Sequence, residues 1–101
     1  MANTKITSYV IFYSANTFSP RIWLKSEDKF VGQLTFMRHD DALPEDKLVN
    51  GQINLFYRLA DFQNVMDMLR NEQPIYLSFN GSGGGNENAI LTGSEMVGEG
   101  E

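Results

Sequence analysis

The chain predicts an α+β domain, an antiparallel β-sheet with one helix packed on one face, in the order β-β-β-β-α-β-β. Three observations carry that expectation. Six short segments rich in β-branched and aromatic residues alternate between the two faces of a strand and are separated by polar turns. One segment alone has helical spacing, with Phe62, Val65, Met66 and Leu69 at i, i+3, i+4 and i+7. At 101 residues and 42% hydrophobic content the chain has material for one core and not two, so residues 1–93 are expected to form a single domain.

The first strand is expected over residues 5–13, with Ile6, Val10 and Phe12 on one face and Tyr9, Ile11 and Tyr13 on the other. A loop over residues 14–20 leads to a strand at 21–25, where Ile22 and Leu24 face inward and Arg21, Trp23 and Lys25 outward. The polar turn Ser26-Glu27-Asp28-Lys29 makes a hairpin with residues 30–37, whose Leu34 and Phe36 face the core. Gly32 shares their parity, and its missing side chain suits a bulge or a bend over a neighbouring layer. Residues 39–50 form a long acidic connection that Leu43, Leu48 and Val49 pin to the body.

Asn50-Gly51 is a turn signal. After it, residues 52–59 make a strand with Ile53, Leu55 and Tyr57 inward and Asn54, Phe56 and Arg58 outward. Asp61 is placed to cap the helix, and Arg70 lies favourably in its last turn. Pro74 ends the helix and begins a strand with Ile75, Leu77 and Phe79 inward. The run Asn80-Gly81-Ser82-Gly83-Gly84-Gly85-Asn86 connects it to a last strand at 88–92, and residues 94–101 are expected to be a disordered acidic tail.

Composition narrows the function classes. A chain with no cysteine has no disulfide framework, thiolate metal site or cysteine nucleophile, and suits the cytoplasm. No apolar run reaches the length of a signal peptide core or of a membrane span, so a soluble, cytoplasmic protein that makes no membrane contact is expected. The net charge of −5 opposes non-specific binding to nucleic acid. Setting aside Glu95, Glu99 and Glu101 in the tail leaves −2, which is still not basic.

Charge is also sorted by local structure. The strand segments carry Lys5, Arg21, Lys25, Arg38 and Arg58 but no acid, while Asp40, Asp41, Glu45 and Asp46 crowd one loop. Part of this is propensity, because Asp and Glu are depleted in strands and favoured in turns. One helix covers only one face of such a sheet. The other keeps Tyr9, Tyr13, Trp23 and Phe56 among Arg21, Lys25 and Arg58, a surface apolar enough to need a second copy, a protein partner, a ligand or a curl of the sheet into a partly closed barrel. These seven residues are the candidate partner-binding set. Aromatics and Arg are enriched at protein interfaces, so a homodimer or protein partner is the first expectation. The alternative is single-stranded nucleic acid, with bases stacked on the rings and phosphates met by the cations.

Enzymatic readings have less to stand on, and a non-enzymatic module without a cofactor is expected. His39-Asp40-Asp41 holds the only histidine and would have to centre any metal-dependent hydrolase, but adjacent loop residues point apart where metal ligands must converge. The glycine run at 81–85 follows a strand as phosphate loops do, yet lacks the Lys-Ser/Thr ending of a P-loop and a helix start after it. No serine has an elbow motif around it.

The order of four strands and a helix over roughly residues 5–71 resembles the repeat of the PUR, Whirly and PC4-like single-stranded-DNA binders. The likeness is one of topology, without a shared residue motif, and this chain adds two strands and an acidic tail. It implies only that the open sheet face is where nucleic acid would lie.

Overall fold

The computed structural model describes residues 3–83 and 85–94, so the expected tail lies outside it except for Ser94. The described strands are β1 (Asn3–Ile6), β2 (Ser8–Phe12), β3 (Arg21–Ser26), β4 (Lys29–Met37), β5 (Lys47–Val49), β6 (Gln52–Arg58), β7 (Ile75–Ser78) and β8 (Ala89–Thr92). The helix α1 (Phe62–Asn71) follows β6 through one 3-10 turn, Leu59–Asp61. They form a five-stranded sheet in the order β2-β3-β4-β6-β5 and a three-stranded sheet in the order β1-β7-β8. The α+β class holds, with three departures from the sequence expectation.

The first departure is that the strand expected over residues 5–13 is shared between both sheets. β1 pairs antiparallel with β7, Ile6 opposite Ile75, whereas β2 pairs antiparallel with β3, Tyr9 opposite Leu24 and Ile11 opposite Ile22. Thr7 makes the break. Its backbone N–H donates to the Lys25 carbonyl at 2.8 Å, and its hydroxyl accepts the Glu27 N–H at 2.7 Å. Glu27 and Asp28 both adopt positive φ, 51° and 72°, so this turn projects a backbone donor at the crossover. Two sheets that face one another turn opposite sides of their strands to the shared core. A chain passing from one to the other therefore changes parity, and Ile6 is buried before the break while Tyr9 packs on the core after it.

The second departure is that β4 and β6 run parallel, so the larger sheet is mixed. The acidic connection holds a strand of its own, β5, which returns along the outside of β6 through Asn50 and Gly51 at φ 52° and 79°. Positive φ at both central residues is what a tight two-residue hairpin requires. The third departure is that the sheet does not curl into a partial barrel. A second sheet covers it instead.

Both the second sheet and the helix lie on one side of the five-stranded sheet. Ile22, Leu24, Leu34 and Phe36 are fully buried and Leu55 nearly so, with Ile6, Ile75, Leu77 and Ile90 opposite them from the smaller sheet. Val65, Met66 and Leu69 close the core from α1, and Phe62 meets Phe36 edge-on at 4.9 Å. Asp61 stands at the N-cap position without a side-chain cap bond, because the 3-10 turn runs straight into the helix and the Phe62 N–H donates to the Leu59 carbonyl. Gly32 sets the depth of the sheet-to-sheet contact. A Cβ there would lie 2.6 Å from the Ile53 carbonyl oxygen and 2.9 Å from Leu77 Cδ2, so only glycine lets Leu77 settle against the larger sheet.

Candidate functional site: the uncovered sheet face

The candidate surface is the outer side of the five-stranded sheet, built from alternate residues of β2, β3, β4, β6 and β5. Strand pairing places Val10, Trp23, Gln33, Asn54 and Lys47 in one row across it, and Phe12, Arg21, Thr35 and Phe56 in the next. The register shift after Leu24 leaves Val31 as an extra residue, so Phe30 pairs with Lys25 and its ring joins the outer face.

Two sorts of contact hold this surface. The first is aromatic: Trp23 lies 4.6 Å from Phe12 and 5.5 Å from Phe30 between ring centroids, both tilted or edge-on, the arrangements that ring quadrupoles favour. The Arg21 guanidinium lies 4.5 Å over the Phe12 ring, and the Lys47 ammonium 5.9 Å from that of Phe56. The second is an amide ladder. Trp23 Nε1–H donates to Gln33 Oε1 at 3.0 Å, Gln33 Nε2–H to Asn54 Oδ1 at 3.3 Å, and Asn54 Nδ2–H to the Gln52 carbonyl at 3.3 Å. The chain of donors fixes the orientation of each amide and ties the indole N–H to the sheet.

Of the seven residues expected on this face, Arg21, Trp23, Lys25 and Phe56 are there as predicted. Arg58 belongs to the same side of β6, but its guanidinium donates to the carbonyls of Arg38 at 2.9 Å and Asp41 at 2.7 Å, so it braces the loop after β4. Tyr9 and Tyr13 are corrected. Tyr9 packs on the core side opposite Leu24, and Tyr13 is exposed with its ring 5.4 Å from Phe62 of the helix. The crossover at Thr7 and the resulting parity of β2 are the reason, and the same change brings Val10 and Phe12 to the outer face. Phe30, Gln33 and Lys47 also contribute to the site. The alternation of β4 alone would put Phe30 inward; the bulge that turns it outward falls at Val31, beside Gly32, whose missing side chain suited one.

Other candidates are less well assembled. His39, Asp40 and Asp41 are all exposed, and His39 and Asp40 border a shallow cleft with Arg38, Leu59 and Ala60. Among the described residues no three His, Cys, Asp or Glu side chains are grouped so as to hold a metal ion. The loop after β7 is bound by asparagines. The Asn80 N–H donates to Asn88 Oδ1 at 2.6 Å, Asn88 Nδ2–H donates to the Gly81 carbonyl at 2.9 Å and to Asp46 Oδ2 at 3.1 Å, and Asn86 Nδ2–H to the Ser82 carbonyl at 2.8 Å. A carboxylate that close repels a second anion, so the loop is poorly suited to cradle phosphate. Asp46 also accepts the Phe56 N–H through its other oxygen at 3.0 Å and so ties the acidic connection to the sheet.

Tyr57, on the inner side of β6, has a displaced pKa. Burial raises it above the ordinary tyrosine value, a backbone hydrogen bond with Ile90 works the other way, and the charges of Asp46 and Asp61 add to the rise. No described helix is long and apolar enough to cross a membrane.

Compared with models of protein families, with curated proteins and with solved structures, the chain matches none. The topological likeness to the PUR, Whirly and PC4-like repeat also weakens at the level of connections, since β5 interrupts the four-strand run and β4 lies parallel to β6.

Proposed function

We propose that this is a non-enzymatic binding module that self-associates or docks a protein partner through the outer face of its five-stranded sheet. One observation carries the reading. Every covering element among the described residues packs on the inner face, which leaves Phe12, Trp23 and Phe30 as a contiguous aromatic row on the other. Aromatic anchors packed on one another, with cations and a hydrogen-bonded amide row beside them, are the composition of a protein interface. A cysteine-free chain fits a cytoplasmic setting for that role.

The test is the substitution Trp23→Ser, read by light scattering and by partner capture. A loss of association with unchanged circular dichroism supports the reading, and unaltered association removes it.

Single-stranded nucleic acid is the second reading, favoured by the placement of Arg21, Lys25 and Lys47 on the same face as Trp23 and Phe56. Stacking would be worth about 1–3 kcal/mol per base on such rings. It predicts binding of a fluorescent oligonucleotide at low salt that weakens as salt rises. No binding at low salt excludes it.

A further inference from the structure

We infer that two copies of the protein join through β2, edge to edge and antiparallel, so that their five-stranded sheets become one sheet with a two-fold axis at Val10. This goes beyond the proposed use of the outer face, because the contact is the sheet edge. The two edges of the sheet are unlike. β5 is three residues long, carries Lys47 and ends in a tight turn, all of which discourage a further strand. β2 bears no charge and no proline, and among the described residues its outer side has no strand neighbour. An uncharged, β-branched and aromatic edge of that kind is a template for another strand.

The occupant that fits is a second β2. Of the seven large apolar side chains exposed among the described residues, Val10, Ile11, Tyr13 and Phe18 lie on β2 or in the segment directly after it. An edge pairing alone is a small contact for a stable dimer, and these neighbouring side chains add apolar area to it. In the two-fold register each Val10 faces the Val10 of the other copy, Tyr9 faces Ile11, and Ser8 faces Phe12. The aromatic and β-branched pair is favourable across strands. No charged side chain lies on either pairing strand, and the cation placed over β2, Arg21 on Phe12, is opposite in sign to the net charge of −5, so the acidic surfaces of the two copies need not meet there. The contact is isologous and closes at two copies, whereas pairing β2 with the β5 edge of another copy would propagate without end.

The chain has no cysteine, so a single introduced thiol reports on this contact alone. Val10→Cys is expected to give a disulfide-linked dimer under mild oxidation, because directly opposed antiparallel residues lie about 4.5–5.5 Å apart between Cα atoms, within disulfide range. Val49→Cys, on the β5 edge, is expected to stay monomeric on the same gel. Val10→Lys sets like charges opposite each other at the axis and is expected to weaken dimerisation about tenfold or more while the circular dichroism spectrum is kept. A monomeric wild-type protein by light scattering at micromolar concentration overturns the inference, as does equal cross-linking of the two cysteine variants. A dimer that survives Val10→Lys and is lost in Trp23→Ser also overturns it and assigns the contact to the sheet face. If Val10→Lys does not fold, the paired cysteine variants decide.

Discussion

The two faces of the five-stranded sheet use the same alternation of residues to opposite ends. On the inner face Ile22, Leu24, Leu34 and Phe36 have no exposed surface, and each is covered by an element that arrives from elsewhere in the chain. On the outer face Phe12, Trp23 and Phe56 are half-buried, and beside them lie one another's rings, the charged groups of Arg21 and Lys47, and a row of amides. Shape decides the inner face, where a single Cβ at Gly32 would collide with backbone. Orientation decides the outer one, where a hydrogen bond from Trp23 Nε1–H to Gln33 anchors a large ring. The inner residues are closed off by the rest of the fold, and the outer ones keep accessible surface.

Substitutions should divide along that line. Phe36→Ala opens a cavity under Phe62 and Tyr57 and is expected to lower the stability to chemical denaturation by about 3–5 kcal/mol. An effect no larger than that of an outer-face change would contradict the division. Gly32→Ala should cost about 1–3 kcal/mol, because the Ile53 carbonyl is backbone and cannot withdraw freely. A neutral outcome in the same denaturation measurement would mean that the two sheets are less closely apposed than described.

The buried Tyr57 adds a pH arm. Its phenol has a raised pKa in the folded protein, so the folded state holds the proton more firmly than the unfolded chain does. Its contribution to stability is therefore fully present below the unfolded tyrosine value of about 10 and is lost as pH rises from there through the folded value. The thermal midpoint should fall more steeply above that pH in the wild type than in Tyr57→Phe, and parallel curves would refute the assignment. The smallest effect is expected from Gln33→Ala, which interrupts the amide ladder at a half-buried position. It should cost about 1 kcal/mol or less, while the fluorescence of Trp23 changes because its N–H loses an acceptor.

Much of this was legible in the sequence because burial follows parity wherever a strand is regular. The inward sets of β3, β4, β6 and β7 and the apolar stripe of α1 were predicted residue by residue, and Gly32 was singled out for close approach. The misplacements occur where parity is broken by a single residue whose reason lies far away in the chain. Thr7 ends one strand and begins another because of the turn at Glu27, and Val31 bulges where β3 and β4 slip in register. Tyr9 and Tyr13 were assigned to the wrong face by the first, and Phe30 was overlooked because of the second. The parallel contact of β4 with β6 depends on β5, three residues with no pattern of their own. Lys47 gained its place on the outer face through a strand neighbour that no local window contains, whereas Gln33 is outward by the alternation of β4 itself.

Thr7 also has a bearing on the order in which the molecule assembles. β2 finds its partner nearby, Ile11 opposite Ile22, but β1 must wait for a strand near the other end of the chain, Ile6 opposite Ile75. Closing the longer loop carries the greater entropic cost, so the β1 and β7 pairing is expected to form late in folding. A single threonine thus joins the early hairpin of the larger sheet to the last closure of the smaller one. Until that closure is made, the side of the core that Ile6 and Ile75 seal is open to water.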